Sequence, residues 1–148
     1  MRLTAFTDYG LRALMRMASA PGQPFSTAQL ADEFGLSRNH LAKIMQRLAR
    51  GGIVATRRGG GGGAVLARRP QDIRLGDLVR LLEDGQALVE CLAGSGNCTI
   101  AGCCRLKARL RAAEAAFLAE LDRTTLADIA LPAPAMSPVA AEMQASTL

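Results

Sequence analysis

The sequence has few aromatic residues and no long apolar run. It contains no Trp, one Tyr and four Phe, so it lacks the aromatic platforms that single-stranded nucleic acid binders use for stacking. No segment approaches the roughly 18 consecutive apolar residues of a membrane span, and Asp8 interrupts the N-terminus where a signal peptide would be apolar. We therefore expect a cytoplasmic protein without a membrane partner. Its 148 residues suit one domain, or a small domain with an assembly element.

Acidic residues are scarce in the first half of the chain. Residues 1–69 hold eleven basic and three acidic residues, a net charge of +8, whereas residues 70–148 hold seven and ten, a net charge of −3. A basic half joined to a mildly acidic half predicts a polyanion-binding module beside a sensing or assembly module. Because stacking aromatics are absent, double-stranded DNA is the expected polyanion.

The basic half carries a helix-turn-helix pattern. Apolar residues at helical spacing predict a helix over residues 4–19. Ser26 opens a short helix over 27–34 that Gly35 ends, and Ser37 caps a third helix over 38–50. Two helices joined by a tight turn that begins with Gly are typical of DNA-binding helix-turn-helix motifs. The outer face of the third helix supplies the candidate DNA contacts, which are Arg38, Asn39, His40 and Lys43.

A β-hairpin is predicted immediately after the third helix. Residues 53–58 and 64–67 have strand character and flank a run of glycines from Gly59 to Gly63. The run could suggest a phosphate-binding loop, but no Lys-Ser or Lys-Thr follows it, which argues against a nucleotide hydrolase. The hairpin is therefore predicted to be a wing, with Arg57 and Arg58 as further DNA contacts. The predicted fold is mainly α with a small β-hairpin wing, a winged helix-turn-helix followed by a long dimerisation helix.

The rest of the chain divides into three segments. Residues 71–104 are expected to contain a short helix over 73–82 and an irregular loop that holds all four cysteines. Residues 105–130 are expected to contain a long helix and a short one. Apolar residues along the long helix step by four, three, four and four, close to a coiled-coil seam, so it could pair with a second copy or pack within its own chain. Residues 131–148 are expected to form a disordered tail, and residues 1–70 form the DNA-binding domain.

The four cysteines follow the pattern Cys91-x6-Cys98-x4-Cys103-Cys104. Structural disulfides are not expected in a protein without an export signal. Thiolates are soft ligands for zinc or iron-sulfur centres, and clustered thiols also form reversible redox switches. A cysteine hydrolase is disfavoured because His40, the only imidazole, is far in sequence from every thiol. The protein is thus not expected to be an enzyme, and the spacing alone does not choose among inert thiols, a metal and a switch.

Motifs along residues 1 to about 130 resemble the winged-helix iron-sulfur regulators, and most closely the nitric-oxide-sensing NsrR-type repressors. The resembling segments are Phe6-Thr7-Asp8-Tyr9-Gly10-Leu11-Arg12, Ser37-Arg38-Asn39-His40, Arg58-Gly59-x-x-Gly62-Gly63, Ile73-Arg74-x-Gly76-Asp77, Cys104-Arg105-Leu106-Lys107 and Thr125-Leu126-Ala127-Asp128. The resemblance implies a homodimer that represses transcription from a double-stranded operator.

The resemblance also implies an iron-sulfur cluster with Cys91, Cys98 and Cys104 as ligands and Asp8 as the fourth, from either subunit. Related regulators carry a His three residues after the last Cys, where this chain has Lys107, which as an ammonium has no lone pair to donate. Three cysteines and one aspartate give one ligand for each iron of a [4Fe-4S] cluster, which favours that cluster over [2Fe-2S]. Cys103 is not part of this ligand set. Nitric oxide would be the effector, with nitrosylation releasing the DNA. The alternatives are a regulator that senses iron-sulfur status, thiol redox state or zinc, and a small iron-sulfur carrier that binds no specific DNA.

Overall fold

The computed structural model describes residues 2–94 and 98–132. Its helices and strands are, in chain order, α1 (Ala5–Ala18), α2 (Thr27–Phe34), α3 (Arg38–Arg50), β1 (Val54–Arg57), β2 (Gly63–Leu66), α4 (Leu75–Leu82) and α5 (Arg105–Leu121). Single 3-10 turns lie at Pro70–Asp72, Glu90–Leu92 and Ala127–Ile129. This architecture confirms the predicted mainly α fold with a small β-hairpin.

Helices α2 and α3 begin at the predicted residues, and α1 begins one residue after its predicted start. The hydroxyls of Thr4, Ser26 and Ser37 each accept a hydrogen bond from the backbone N–H three residues further on, which satisfies a donor at the exposed end of the helix. Gly35 ends α2 in the left-handed region at φ +64°, where a side chain would be strained. The turn sends the chain directly into α3 and completes the helix-turn-helix.

A single core holds α1 to α4 together. It is built from fully or nearly fully buried apolar side chains, among them Leu14, Met17, Phe25, Leu30, Leu41, Ile44, Leu48, Ile73, Leu78 and Leu126. Helix α3 contributes Leu41, Ile44 and Leu48, which recur at helical spacing on one face. The opposite face of α3 is consequently left to solvent.

The wing is a two-stranded antiparallel hairpin in which Val54 lies opposite Leu66 and Arg57 lies opposite Gly63. Phe25 joins the hairpin to the helices, because its N–H donates to the Ala64 carbonyl at 2.9 Å and its carbonyl accepts from the Ala64 N–H at 2.8 Å. The buried Phe25 ring anchors that connection in the core. The wing therefore has a fixed base and an exposed tip.

Helix α4 begins at Leu75 rather than at Ile73, so the predicted start was two residues too early. Ile73 and Arg74 are extended, and the Ile73 carbonyl accepts from the Leu126 N–H at 2.8 Å. The segment after α5 returns to pair with residues 73–75 and prevents an earlier helix start. The predicted cap at Thr125 is confirmed, since the Thr125 N–H donates to the Asp128 carboxylate at 2.7 Å.

Helix α5 spans 17 residues and none of them is buried. It contacts α4 and the one-turn helix at Glu90–Leu92. No helix in the part of the chain that the structure describes is both long and apolar enough to cross a bilayer. The predicted tail, residues 131–148, lies outside the described residues from position 133 onward.

Candidate functional site

The exposed face of α3 is polar and basic. Arg38, Asn39 and Lys43 are all exposed, and Arg38 makes a 3.5 Å ion pair with Asp32 across the helix-turn-helix turn. Both side chains of that pair are about two-thirds exposed, so it is weak and does not prevent Arg38 from meeting another anion. These three side chains are placed together at the start of α3.

His40 is placed differently from its neighbours in the first turn of α3. Its ring packs edge-on against two rings of α1, with centroid distances of 6.1 Å to Phe6 and 5.8 Å to Tyr9. Its Nε2 atom is buried and has no hydrogen-bond partner among the described residues. The imidazole therefore faces the α1–α3 interface and does not share the exposed face of Arg38 and Asn39.

The wing presents the other two predicted DNA contacts. Arg57 and Arg58 are exposed at the end of β1, next to the glycine-rich turn. The Arg57 guanidinium reaches the Gly22 carbonyl at 3.5 Å, a distance at which a hydrogen bond is weak. Both cations remain available at the surface beside α3.

The four cysteines are all free thiols, with Cys91 and Cys104 partly buried and Cys98 and Cys103 exposed. Cys91 lies in the one-turn helix Glu90–Leu92, which contacts α5, and Cys104 is the N-cap of α5. The loop thus joins the end of α4 to the start of α5. Within residues 2–94 and 98–132, no three His, Cys, Asp or Glu side chains lie close enough together to hold a metal ion.

Asp8 lies in the first turn of α1. Its carboxylate pairs with Arg12, one turn further along, at 2.9 Å, and both side chains are about half exposed. The Arg12 guanidinium also lies 5.9 Å from the Tyr9 ring centroid, within cation–π range. The predicted Asp8–Arg12 pair is therefore present and accessible to solvent.

The donor set fits an iron-sulfur centre in its chemistry, because three thiolates of one loop are soft ligands and Asp8 adds an accessible carboxylate. Bringing these groups together requires a rearranged cysteine loop, and Asp8 could come from either subunit. The only imidazole is His40, which is occupied between α1 and α3. The donors on hand are thus sulfur and oxygen, without a histidine.

Two contacts that position the ends of α4 are not evident in the sequence. Glu83 accepts from both the Thr4 N–H and the Thr4 hydroxyl at 2.8 Å, which fixes the start of α1. Burial opposes ionisation of Glu83, but hydrogen bonds from Thr7 and Thr4 outweigh it and lower the Glu83 pKa. The hydroxyl residues before α1 signal a helix cap, yet nothing in the pattern identifies a carboxylate 79 residues away.

The second missed contact joins α4 to α5. Arg80 makes a two-pronged ion pair with Asp122, at 2.8 and 2.6 Å, and the hydrogen bonds from Arg80 lower the Asp122 pKa. Gly76 permits this approach, because a Cβ at this position would collide with the Asp122 carboxylate. A Gly inside a predicted helix was the only signal of such a contact.

Comparison with known proteins agrees with this arrangement. The model of the Rrf2 family, described as iron-dependent transcriptional regulators, matches residues 3–131. IscR of T. potens is 26% identical with a TM-score of 0.68, over 100% of this chain and 93% of that one. CymR (YrzC), the global cysteine regulator of B. subtilis, is 30% identical with a TM-score of 0.69, over 88% and 96%. The oxidized form of Staphylococcus aureus CymR is 28% identical with a TM-score of 0.65, over 88% and 96%.

Rrf2 proteins are DNA-binding transcriptional regulators, generally dimeric, and are not enzymes. The winged helix-turn-helix, the exposed basic face of α3 and the family match over residues 3–131 lead to one assignment. This chain belongs to the Rrf2 family of transcriptional regulators.

Proposed function

We propose that this protein is a homodimeric repressor that senses nitric oxide through an iron-sulfur cluster and leaves its operator when the cluster is nitrosylated. Residues 1–70 read the DNA, residues 71–104 hold the cluster and residues 105–130 pair the two subunits. The observation that carries the proposal is the composition of the donor set: four free thiols in one loop, three of them proposed as ligands, and the accessible carboxylate of Asp8. The single imidazole is packed elsewhere.

The DNA contacts in this proposal follow from the exposed face of α3. A dimer would place two copies of α3 in adjacent major grooves and the two wings on the flanking backbone or minor groove. Asn39 is suited to a base edge, whereas Lys43, Arg57 and Arg58 are suited to phosphates. Arg38 can serve either purpose, since its guanidinium is exposed apart from the weak pair with Asp32. His40 was predicted to contact DNA as well, but no direct contact is proposed for it, because its ring packs against Phe6 and Tyr9 of α1.

Cluster binding would use Cys91, Cys98, Cys104 and Asp8 as ligands. A bound cluster, [4Fe-4S] in preference to [2Fe-2S], would supply iron that reacts with nitric oxide. The carboxylate is a harder and weaker partner for iron than a thiolate, so Asp8 is the ligand most readily given up. Release of Asp8 would free the start of α1 from the cysteine loop. Because α1 packs directly on α3, the change would reach the DNA-reading face.

The proposal is tested by operator binding with and without nitric oxide under anaerobic conditions. Cys91→Ala removes one proposed ligand and should weaken operator binding and abolish the response to nitric oxide. Cys103→Ala is the matched control, because Cys103 lies in the same loop as an exposed thiol that the proposal does not use as a ligand. That variant should bind and respond as the wild type does. If Cys91→Ala also represses and responds normally, the proposed coupling between cluster and DNA is wrong.

A second candidate function is a regulator that responds to iron-sulfur status, thiol oxidation or zinc through the same loop. The exposure of Cys98 and Cys103 favours this alternative, since exposed thiols are the ones that oxidants reach. The similarity to CymR, a global cysteine regulator, is in keeping with it. A zinc or disulfide form is colourless, so absorption in the visible range separates these forms from an iron-sulfur protein.

A further inference from the structure

His40 occupies a position between the proposed cluster ligand and the DNA-reading face. Its ring makes edge-to-face contacts with Phe6 and Tyr9, the residues two before and one after Asp8. The Tyr9 contact is close to perpendicular, at 84°, and both centroid distances lie within the range of favourable aromatic pairs. The first turn of α1 and the first turn of α3 therefore meet at this one imidazole.

The contacts continue from Tyr9 back to Asp8. The Arg12 guanidinium lies 5.9 Å from the Tyr9 ring centroid and also pairs with the Asp8 carboxylate at 2.9 Å. Any event that removes Asp8 from Arg12, such as coordination of a metal by the carboxylate, changes the cation that lies over Tyr9. Asp8, Arg12, Tyr9 and His40 thus form a continuous chain of contacts.

The same chain continues into the DNA-reading face. His40 donates its backbone N–H to the Ser37 hydroxyl at 3.2 Å, which is the N-cap contact of α3. Arg38 and Asn39 lie between these two residues and are exposed. A displacement of the His40 ring would therefore shift the turn that carries the two foremost candidate DNA contacts.

We propose that His40 is a positioning residue that couples the Asp8–Arg12 pair to the first turn of α3 through its ring contacts with Phe6 and Tyr9. It does so without touching DNA, because its ring faces α1 and its Nε2 atom is buried. The inference rests on the proposed function in one respect, since binding or release of the cluster is the event that moves Asp8. The ring contacts that link α1 to α3 are present without any cluster.

The test compares operator affinity of the cluster-loaded and cluster-free dimers for three variants. His40→Leu removes the aromatic ring. It should lower the ratio of operator affinity between the cluster-loaded and the cluster-free dimer at least fivefold, so that the two forms bind more nearly alike. His40→Phe keeps a ring in the same place and should restore most of the wild-type ratio. Asn39→Ala is the control, since loss of a direct DNA contact should weaken both forms by the same factor and leave the ratio unchanged. Thermal melting confirms that each variant is folded.

Each result decides the inference. A wild-type ratio in His40→Leu overturns it, and equal loss of affinity in both forms for both His40 variants indicates a direct DNA contact instead.

If the wild type itself binds equally with and without the cluster, the proposed function fails. The cluster-free protein then tests the link between α1 and α3 through Tyr9 and His40. Tyr9→Leu should weaken operator binding at least twofold when it is made in the wild type, and it should have no effect when it is added to His40→Leu. Equal effects in both backgrounds would refute the link as well.

Discussion

The bundle of α1 to α4 and the segment from residue 83 to residue 121 are stabilised in opposite ways. The bundle contains nearly all of the buried apolar side chains, whereas none of the described residues between 83 and 121 is buried. In α5 the apolar Leu106 is 63% exposed, and in the cysteine loop Ile100 is 57% exposed. Most helical stability in proteins comes from packing an apolar face. The bundle is therefore complete in one chain, whereas α5 keeps its apolar side chains partly or largely exposed and is the element proposed to pair with a second subunit.

That difference separates two tasks within one small protein. The part that presents side chains to DNA is held rigidly by its own core, so the reading face has a defined shape. The segment from residue 83 to residue 121, in the part proposed to sense and to dimerise, has no fully buried side chain among its described residues and is joined to α4 by partly buried contacts and by the ion pair between Arg80 and Asp122. Signals act on elements that are free to rearrange.

The largest effect is expected from a cavity in the bundle. Leu41 is fully buried on the inner face of α3, and Leu41→Ala should lower the free energy of unfolding by about 2–5 kcal/mol. Urea unfolding of both proteins at equal concentration measures this loss. A change below about 1 kcal/mol would contradict the view that the bundle carries the stability.

Substitution of an exposed apolar residue of α5 should weaken dimerisation and leave the fold of the single chain largely unchanged. Leu106→Glu places a charge on the proposed seam and should weaken dimerisation tenfold or more, about 1.4 kcal/mol, because the charge would be buried on association. Sedimentation equilibrium measures the dissociation constant, and far-ultraviolet circular dichroism should change little. Ala108→Gln is the control, because Ala108 is exposed on the other side of α5. Equal dimerisation of Leu106→Glu and wild type would rule out this seam.

The joint between the two regions can be loosened at one glycine. A methyl group at Gly76 would collide with the Asp122 carboxylate and displace it from Arg80. We expect Gly76→Ala to cost about 1–3 kcal/mol, as overpacking typically does. Gly60→Ala is the control, since a Cβ there meets nothing within 4 Å and its φ is not positive. Thermal unfolding should separate the two variants, and identical melting temperatures would contradict the proposed joint.

The smallest effect is expected where α1 begins. Glu83→Gln keeps an oxygen acceptor for Thr4 but loses the charge, so it should cost about 0.5–1.5 kcal/mol at neutral pH. The Glu83 pKa is lower in the folded protein than its ordinary value of 4.5, so its contribution is present above that pH and is lost as the pH falls. Denaturant unfolding measured from pH 7 to pH 3 should show that the difference in the free energy of unfolding between variant and wild type decreases as the pH falls. A constant difference would mean that the charge is not involved.

Local signals in the sequence predicted most of the fold. Ser26, Ser37 and Gly35 mark the ends of α2 and α3, and both helices have the predicted bounds. The start of α4 was predicted too early because Ile73 pairs with Leu126, a partner 53 residues away that periodicity does not detect. Contacts of that kind depend on the three-dimensional arrangement alone.

The candidate site was predicted less completely than the fold. Exposure of Arg38, Asn39 and Lys43 follows from the apolar face of α3, which fixes the opposite side of the helix. His40 has the same spacing as its polar neighbours, but the sequence could not reveal the pocket between Phe6 and Tyr9 that holds its ring. The roles of Cys91, Cys98, Cys104 and Asp8 stay predictions, because no three of these side chains lie together among the described residues.

The most direct measurement is an anaerobic titration with nitric oxide in which visible absorption and operator binding are recorded on the same sample. The account predicts a coloured dimer, after reconstitution with iron and sulfide where required, whose visible band bleaches in step with release of the operator. A protein that stays colourless after reconstitution, and whose operator binding is unchanged by nitric oxide, would contradict it.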